Sequence, residues 1–316
     1  MKILVTGASG SLGSALLAQL EQLKDVQIFA TDIQPSPCSF KTLEFKQFDI
    51  RQSEFLNWVE RVEPDVIVHL ASILQIGGQL TREIAYQIDV VATEALINKA
   101  CDIGCKKLIV TTSGAAYGYY PRNKGKEITE NWSRLGNEDY FYSDHKRQIE
   151  RLLEQARRNC PTLKQVVFRP GAILGPNFKG PVVDLFKQRV FTGLVGYPGL
   201  FNFIWVDDVV DYLVEAISTD ICGEFNIAGE GALSMKRIAQ ICGRPYIPLP
   251  APLVQAALAI LKPLGIIQYG PEQVKFIKYR PVLSSQKIRQ EFVHQPKYTS
   301  ESALKQFTLT LSSEAK

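Results

Sequence analysis

Charge of one sign is scarce in this chain, and so are histidine, paired cysteine and uninterrupted apolar runs. Lys and Arg number 36 against 32 Asp and Glu, a formal net charge of +4 spread along the sequence. That balance is too weak and too dispersed to form a nucleic-acid surface. Six Cys (38, 101, 105, 160, 222, 242) follow no paired framework, and only three His accompany them. Cys101 and Cys105 lie one helical turn apart, but no second ligand pair matches them, so no metal site is expected and free thiols in a reducing compartment are the better reading. Only the three-residue apolar run Ile3-Leu4-Val5 precedes the Gly-rich turn, too short for a signal-peptide core. The longest apolar stretch, Ala251–Ile267, is interrupted by Lys262, Pro263 and Gly265, so stable membrane insertion is not expected. These absences leave a soluble, cytoplasmic protein as the expectation.

With 316 residues, 46% of them hydrophobic, there is enough apolar material for a sizeable core. The first half alternates β-branched runs with helical patterns. Candidate strands are Ile3–Val5, Val26–Thr31, Leu43–Phe48, Asp65–Leu70, Lys107–Thr112 and Gln165–Arg169. Between them Leu12–Leu23, Ile84–Ala100 and Lys146–Ala156 place apolar residues at i, i+3 and i+4. This alternation predicts an α/β protein: a doubly wound parallel sheet of the Rossmann type, with helices on both faces. Past Pro170, Pro and Gly become frequent and helices shorten. The division expected is a nucleotide-binding domain over 1–172 and a smaller C-terminal α/β substrate lobe over 173–316. Within that lobe, residues 203–229 are expected to return to the main sheet through Phe203–Val206 and Glu224–Ala228.

Ligands in such sheets sit beyond the carboxyl ends of the strands. There Ile3–Val5 runs into Thr6-Gly7-Ala8-Ser9-Gly10-Ser11-Leu12-Gly13 and then a helix. Glycines at this spacing make the tight turn, let backbone approach a pyrophosphate, and let helix pack on strand, while the helix N-terminus offers N–H groups to the phosphates. Asp32 follows the second strand, 19 residues beyond Gly13. A carboxylate there accepts hydrogen bonds from both ribose hydroxyls and repels a 2′-phosphate, so NAD is expected over NADP. Asp49 suits the adenine edge after the third strand, or equally an N-cap for the helix over Gln52–Val62.

Ser113 follows another strand end, and Tyr142 stands four residues before Lys146, so both side chains share a helix face. A Tyr beside an ammonium group and a nicotinamide cation is expected to have a lowered pKa and to serve as acid and base, with Ser113 holding the substrate oxygen.

Taken together these residues resemble the extended short-chain dehydrogenase/reductases, in their NAD-dependent epimerase/dehydratase branch (UDP-glucose 4-epimerase-like). The likeness shows in TGASGSLG, in Asp49-Ile50-Arg51 and His69-Leu70-Ala71-Ser72, in Thr112–Gly118, in Tyr142–Lys146, in Arg169-Pro170-Gly171, in Trp205-Val206-Asp207-Asp208 and in Phe225–Ala228. It implies Ser113, Tyr142 and Lys146 as a catalytic triad. It also implies NAD contacts from Gly7, Ser9, Gly10, Ser11, Leu12, Gly13, Asp32, Asp49, Ile50, Leu70, Ala71, Ser72, Tyr142, Lys146 and Pro170. A homodimer through the helices around Ile84–Ala100 and Tyr142–Ala156 is a further implication.

Departures from the family pattern narrow the expectation. Gly114 and Ala115 replace the Asp-Glu pair of sugar 4,6-dehydratases, and neither can move a proton. Gly199–Phe203 lacks the Arg that usually holds a nucleotide-sugar diphosphate, Trp205 replaces a usual His, and Asp89 replaces a usual Asn. The apolar run Ala251–Leu261 is open to packing, a dimer contact or the lining of a pocket. The leading expectation is an NAD-dependent epimerase acting on a nucleotide-sugar-like secondary alcohol through a transient ketone. The alternatives are an NAD-dependent hydroxy/keto dehydrogenase or reductase of a less polar substrate, and a non-catalytic NAD-binding regulator.

Overall fold

A computed structural model of the chain describes residues 1–39, 41–176, 178, 180–186, 188–264 and 270–314. Positions 265–267, the end of the long apolar stretch, lie outside the described residues. The first half runs β1 (Lys2–Thr6), α1 (Ser11–Leu20), β2 (Gln27–Asp32), β3 (Leu43–Gln47), α2 (Ser53–Val62), β4 (Val66–His69), α3 (Arg82–Tyr86), α4 (Ala92–Asp102) and β5 (Lys107–Thr111). It continues through β6 (Glu127–Ile128), α5 (Phe141–Asn159), β7 (Lys164–Pro170), β8 (Ala172–Leu174), α6 (Pro181–Phe186), β9 (Phe191–Leu194), β10 (Phe203–Trp205), α7 (Val206–Ser218) and β11 (Gly223–Ile227). The remainder is α8 (Met235–Ile241), β12 (Tyr246–Leu249), α9 (Ala251–Leu261), α10 (Gln273–Lys278), β13 (Val282–Leu283), α11 (Gln286–Glu291) and α12 (Ser300–Glu314).

Seven strands form one parallel sheet in the order β11-β7-β5-β4-β1-β2-β3. Because side chains alternate across a strand, near-continuous apolar runs feed two cores at once. Ile3, Val5, Val66, Val68, Ile109, Val166 and Phe168 pack on one face with Leu16 and Leu17 of α1 and Val209 and Leu213 of α7. Leu4, Ile67, Leu108, Val110 and Val167 pack on the other with Trp58 of α2, Leu96 of α4 and Leu153 of α5. This is the doubly wound Rossmann arrangement, with the crossover between β1 and β4 opening the crevice where nucleotides bind in such sheets. The C-terminal segment adds a smaller α/β portion in which β12 pairs with β9, flanked by α8, α9 and α10.

Two expectations need correction. Of the strands between 203 and 229, only β11 joins the main sheet, beside β7. Phe203–Trp205 instead pairs with Ala172–Leu174 in a separate two-stranded ladder. β8 leaves β7 after Gly171, whose N–H donates to Ile227 O, and so draws β10 away from the main sheet. The helix expected over Ile84–Ala100 is interrupted by a π-helical turn at Gln87–Val91, a feature that re-aims side chains and frequents functional sites.

One buried ion pair fixes the position of α5. Arg169, fully buried on β7, donates from Nε (2.8 and 3.0 Å) and Nη2 (2.5 Å) to Glu150 on α5, and from Nη1 to Tyr117 Oη at 2.8 Å. Glu150 also accepts from Thr112 Oγ1 at 2.8 Å and pairs with Arg134. The helix bearing Tyr142 and Lys146 is thereby tied to the two strands, β5 and β7, that frame the site.

Candidate active site

The glycine loop occupies the carboxyl end of β1. Gly7 adopts φ +69°, and a Cβ there would lie 2.6 Å from Ala71 N, so the loop packs directly on Leu70-Ala71 after β4. A Cβ on Gly13 would meet Gly7 O at 2.2 Å and Ala8 Cα at 2.7 Å, so only glycine lets α1 start this close to the turn. Gly10 caps α1 without a side chain, leaving Ser11, Leu12 and Gly13 as its first residues. Asp32, at the end of β2, accepts from Ser9 N at 3.0 Å and from Gln34 N at 2.9 Å. The expected pyrophosphate and ribose residues therefore meet at the ends of β1, β2 and β4, around a loop packed so closely on backbone that neither Gly7 nor Gly13 has room for a Cβ. That geometry fits a dinucleotide.

Asp49 and Ile50 follow β3, and Pro170 ends β7. The helix N-cap reading of Asp49 does not hold, since Gln52 caps α2 and both carboxylate oxygens of Asp49 are engaged by Arg51. The Arg51 guanidinium holds that carboxyl below the usual carboxylate range.

At the end of β5, Ser113 opens a short 3₁₀ turn, Gly114–Tyr117, and its Oγ accepts from Ala115 N at 3.1 Å. Tyr142, in the first turn of α5, lies beside the Ser113 side chain, which favours the ionised phenol. The Lys146 ammonium lies 5.6 Å from the centre of the Tyr142 ring. The three side chains expected to act together are thus brought together. The electrostatics run against expectation, however. Burial pushes the Tyr142 phenol up, with Ser113 opposing, and burial pushes the Lys146 ammonium down against the pull of Asp89 and Glu150. Desolvation outweighs the neighbouring charges at Lys146, whereas at Tyr142 it acts in the same direction as the nearby Asp89.

Asp89 proves to be more than a departure from the pattern. The π-helical turn carries it inward, fully buried, to accept from Ser72 Oγ (3.1 Å), Ile73 N (2.8 Å) and His145 Nδ1 (2.9 Å). Ser72 in turn accepts from Lys146 Nζ at 2.9 Å. Lys146, Ser72, Asp89 and His145 form one hydrogen-bonded chain, buried except at Ser72, that holds the Lys146 ammonium in place. His69, fully buried between Thr6 Oγ1 (2.7 Å) and Thr93 Oγ1 (2.9 Å), joins β1 to α4, and burial lowers its pKa to about 4. Helical periodicity cannot show a π turn, so nothing in the sequence placed Asp89 here.

Arg280 carried no signal in the sequence. Its guanidinium lies 4.0 Å from the centre of the Phe201 ring, and its charge is felt at Tyr119, next to Tyr142. It forms no ion pair with any described carboxylate, and its buried Nε has no hydrogen-bond partner. The Gly199–Phe203 stretch therefore does receive a cation, supplied from nearly 80 residues further along the chain. Tyr119, Tyr140 and Phe276 complete an aromatic wall, with ring centres 4.5 Å (Tyr119–Phe276) and 4.3 Å (Tyr140–Phe276) apart. All six cysteines are free thiols. Asp208, Asp211 and His294 cluster away from these residues, where Lys297 already supplies a cation to Asp211 at 3.0 Å.

A glycine cradle at the end of β1 with a Ser, Tyr and Lys at the end of β5 defines an extended short-chain dehydrogenase/reductase, an enzyme that uses a nicotinamide dinucleotide. Residues 3–228 match the model of the NAD dependent epimerase/dehydratase family, and the chain belongs to that family. Its cofactor is accordingly NAD. GDP-6-deoxy-D-talose 4-dehydrogenase of Aggregatibacter actinomycetemcomitans is 28% identical, over 76% of this chain and 79% of that protein. Sterol demethylase protein B of Methylococcus capsulatus is 26% identical, over 84% and 82%. UDP-glucose 4-epimerase of Thermus thermophilus, solved with NAD, superposes with a TM-score of 0.76 at 19% identity, over 99% of each chain. No described helix is long and apolar enough to cross a membrane.

Proposed function

We propose that the chain is an epimerase that inverts a secondary alcohol of a nucleotide-sugar-like substrate through a transient ketone. The observation that carries this reading is the placement of Tyr142 between the Ser113 side chain and Lys146, whose ammonium lies 5.6 Å from the ring centre and is held by Ser72 and Asp89. Ser113 positions the substrate hydroxyl against Tyr142, and the phenolate removes its proton. Bound NAD supplies the hydride acceptor and, after the ketone turns in the site, the hydride donor. Tyr142 then returns the proton to the new alcohol, so the net reaction is redox-neutral. Lys146 stabilises the phenolate, whose formation burial and the nearby Asp89 oppose. Arg280, a cation without a carboxylate partner among the described residues, offers the anchor for a phosphate group. The face formed by α4 and α5 is our candidate for a homodimer contact.

The aromatic wall of Tyr119, Tyr140 and Phe276 favours a second reading, a net dehydrogenase or reductase of a less polar hydroxy or keto substrate. Denaturing the purified protein and identifying the released nucleotide separates the two. Stoichiometric NAD supports in-place recycling and hence the epimerase. A protein that arrives empty and binds NADH reversibly supports the dehydrogenase, and release of NADP contradicts the role given to Asp32. In either case Tyr142→Phe should lower kcat by about 10²-fold or more with NAD binding retained, and a fully active variant would remove Tyr142 from the chemistry.

A further inference from the structure

Helix α9 is apolar on the side it shows to solvent. Its inner stripe, Ala251, Val254 and Leu258, packs on a small cluster with Leu194, Val274 and Ile277. An outer stripe at helical spacing, Leu253, Ala257 and Ile260, continues to Leu264 just beyond the helix. Leu253, Ile260 and Leu264 are 64%, 61% and 65% exposed. Ile247 and Val195, on the neighbouring β12 and after β9, are also exposed. A surface helix of a soluble protein carries charged or polar residues on that side. From Ala251 to Leu261 the sole polar residue is Gln255. Such a contiguous apolar surface marks an interaction site.

The surrounding charge identifies the occupant. Between Gly231 and Arg280 seven Lys and Arg stand against a single Glu. Arg237, Lys262 and Lys275 pair with Glu301, Glu272 and Asp139. That leaves Lys236, Arg244 and Lys278, besides Arg280 over the Phe201 ring, as cations without a carboxylate partner among the described residues. Lys236 and Arg244 are exposed, and Lys262 borders the stripe. An exposed apolar stripe on a portion of the fold that carries unpaired cations matches the boundary of an anionic bilayer, where acyl chains take up the leucines and headgroups the cations. The same excess opposes apposing two copies of this face, because like charges would meet across a two-fold axis. The α9 face also adjoins the reaction site, since α10 packs against α9 and carries Phe276 into the aromatic wall beside Tyr142.

We propose that α9 and its basic surround dock the enzyme on the surface of an anionic lipid bilayer, without crossing it. This holds independently of which alcohol the site takes. The test is co-sedimentation of the full-length protein with vesicles of phosphatidylcholine alone or with about 30% phosphatidylglycerol, at low and high salt. The wild type should bind the anionic vesicles and release at high salt. The double variant Leu253→Ser with Ile260→Ser should lose at least about tenfold in bound-to-free ratio, as should Lys236→Glu with Arg244→Glu. Thermal melting and NADH affinity should stay at wild-type values in both. Absence of vesicle binding, or equal binding by wild type and both variants, overturns the proposal. So does a stable dimer in light scattering that the Leu253→Ser, Ile260→Ser protein no longer forms, which would give the face to a second copy of the chain.

Discussion

Replacing Glu150 by Ala tests how the catalytic helix is held. Glu150 and Arg169 are both buried, and the carboxylate receives three donor contacts from the guanidinium. Truncation leaves Arg169 charged in a site closed to water, with Tyr117 Oη and Glu130 O as its remaining acceptors. Breaking a buried pair in this way costs about 3–5 kcal/mol. With an unfolding entropy of about 2.1 cal/mol/K per residue, the 316-residue chain should lose about 5–8 °C in Tm. The assay is a thermal melt followed by circular dichroism, alongside urea midpoints. Glu150→Leu combined with Arg169→Met should recover at least half of that loss, because no charge is then stranded. Thr112 Oγ1 keeps its bond to Phe168 O, and Tyr117 Oη still donates to Asn226. A Glu150→Ala protein melting within about 1 °C of wild type would refute the assigned role of this pair. A double variant that falls by the sum of the singles would refute the stranded-charge explanation.

Gly13→Ala drives a methyl into the Gly7 carbonyl, and neither backbone partner can move aside. We expect a loss of stability of about 1–3 kcal/mol and weakened NADH binding by fluorescence titration; wild-type behaviour in both would contradict the cradle. His69, with its pKa near 4, refuses the proton that the unfolded chain accepts near pH 6.5, so stability should fall as pH drops from 6.5 to 4, by up to about 3 kcal/mol. Urea midpoints against pH should show that slope in wild type and a flatter one in His69→Gln, and parallel curves would rule the linkage out. Arg280→Ala should raise KM for a phosphate-bearing substrate about 10–100-fold at little cost in kcat. An unchanged KM would show that the guanidinium does not touch the substrate.

Local physics made much of this protein legible in its sequence. A parallel strand buried on both faces must be apolar along its length, so Ile3–Val5 and Lys107–Thr112 announced themselves, as did Glu224–Ala228, which takes its place in the main sheet as β11. Glycine spacing is set by backbone sterics within one turn, and it located the loop. A four-residue interval on a helix is a statement about one face, which is why spacing alone pairs Tyr142 with Lys146. What the sequence could not decide depends on chain segments far apart. Phe203–Trp205 has the composition of a main-sheet strand, yet it follows Ala172–Leu174 into a separate ladder, and only the path of the chain after Gly171 settles that. The π turn that buries Asp89 breaks the periodicity by which helices are read, and so the chain from Lys146 through Ser72 and Asp89 to His145 stayed hidden. Arg280 reaches Phe201 across 79 residues of sequence. The sign of the Tyr142 shift escaped the sequence for a related reason: spacing reveals the neighbouring ammonium, but desolvation is set by everything packed around the phenol, and that exists only in the folded protein.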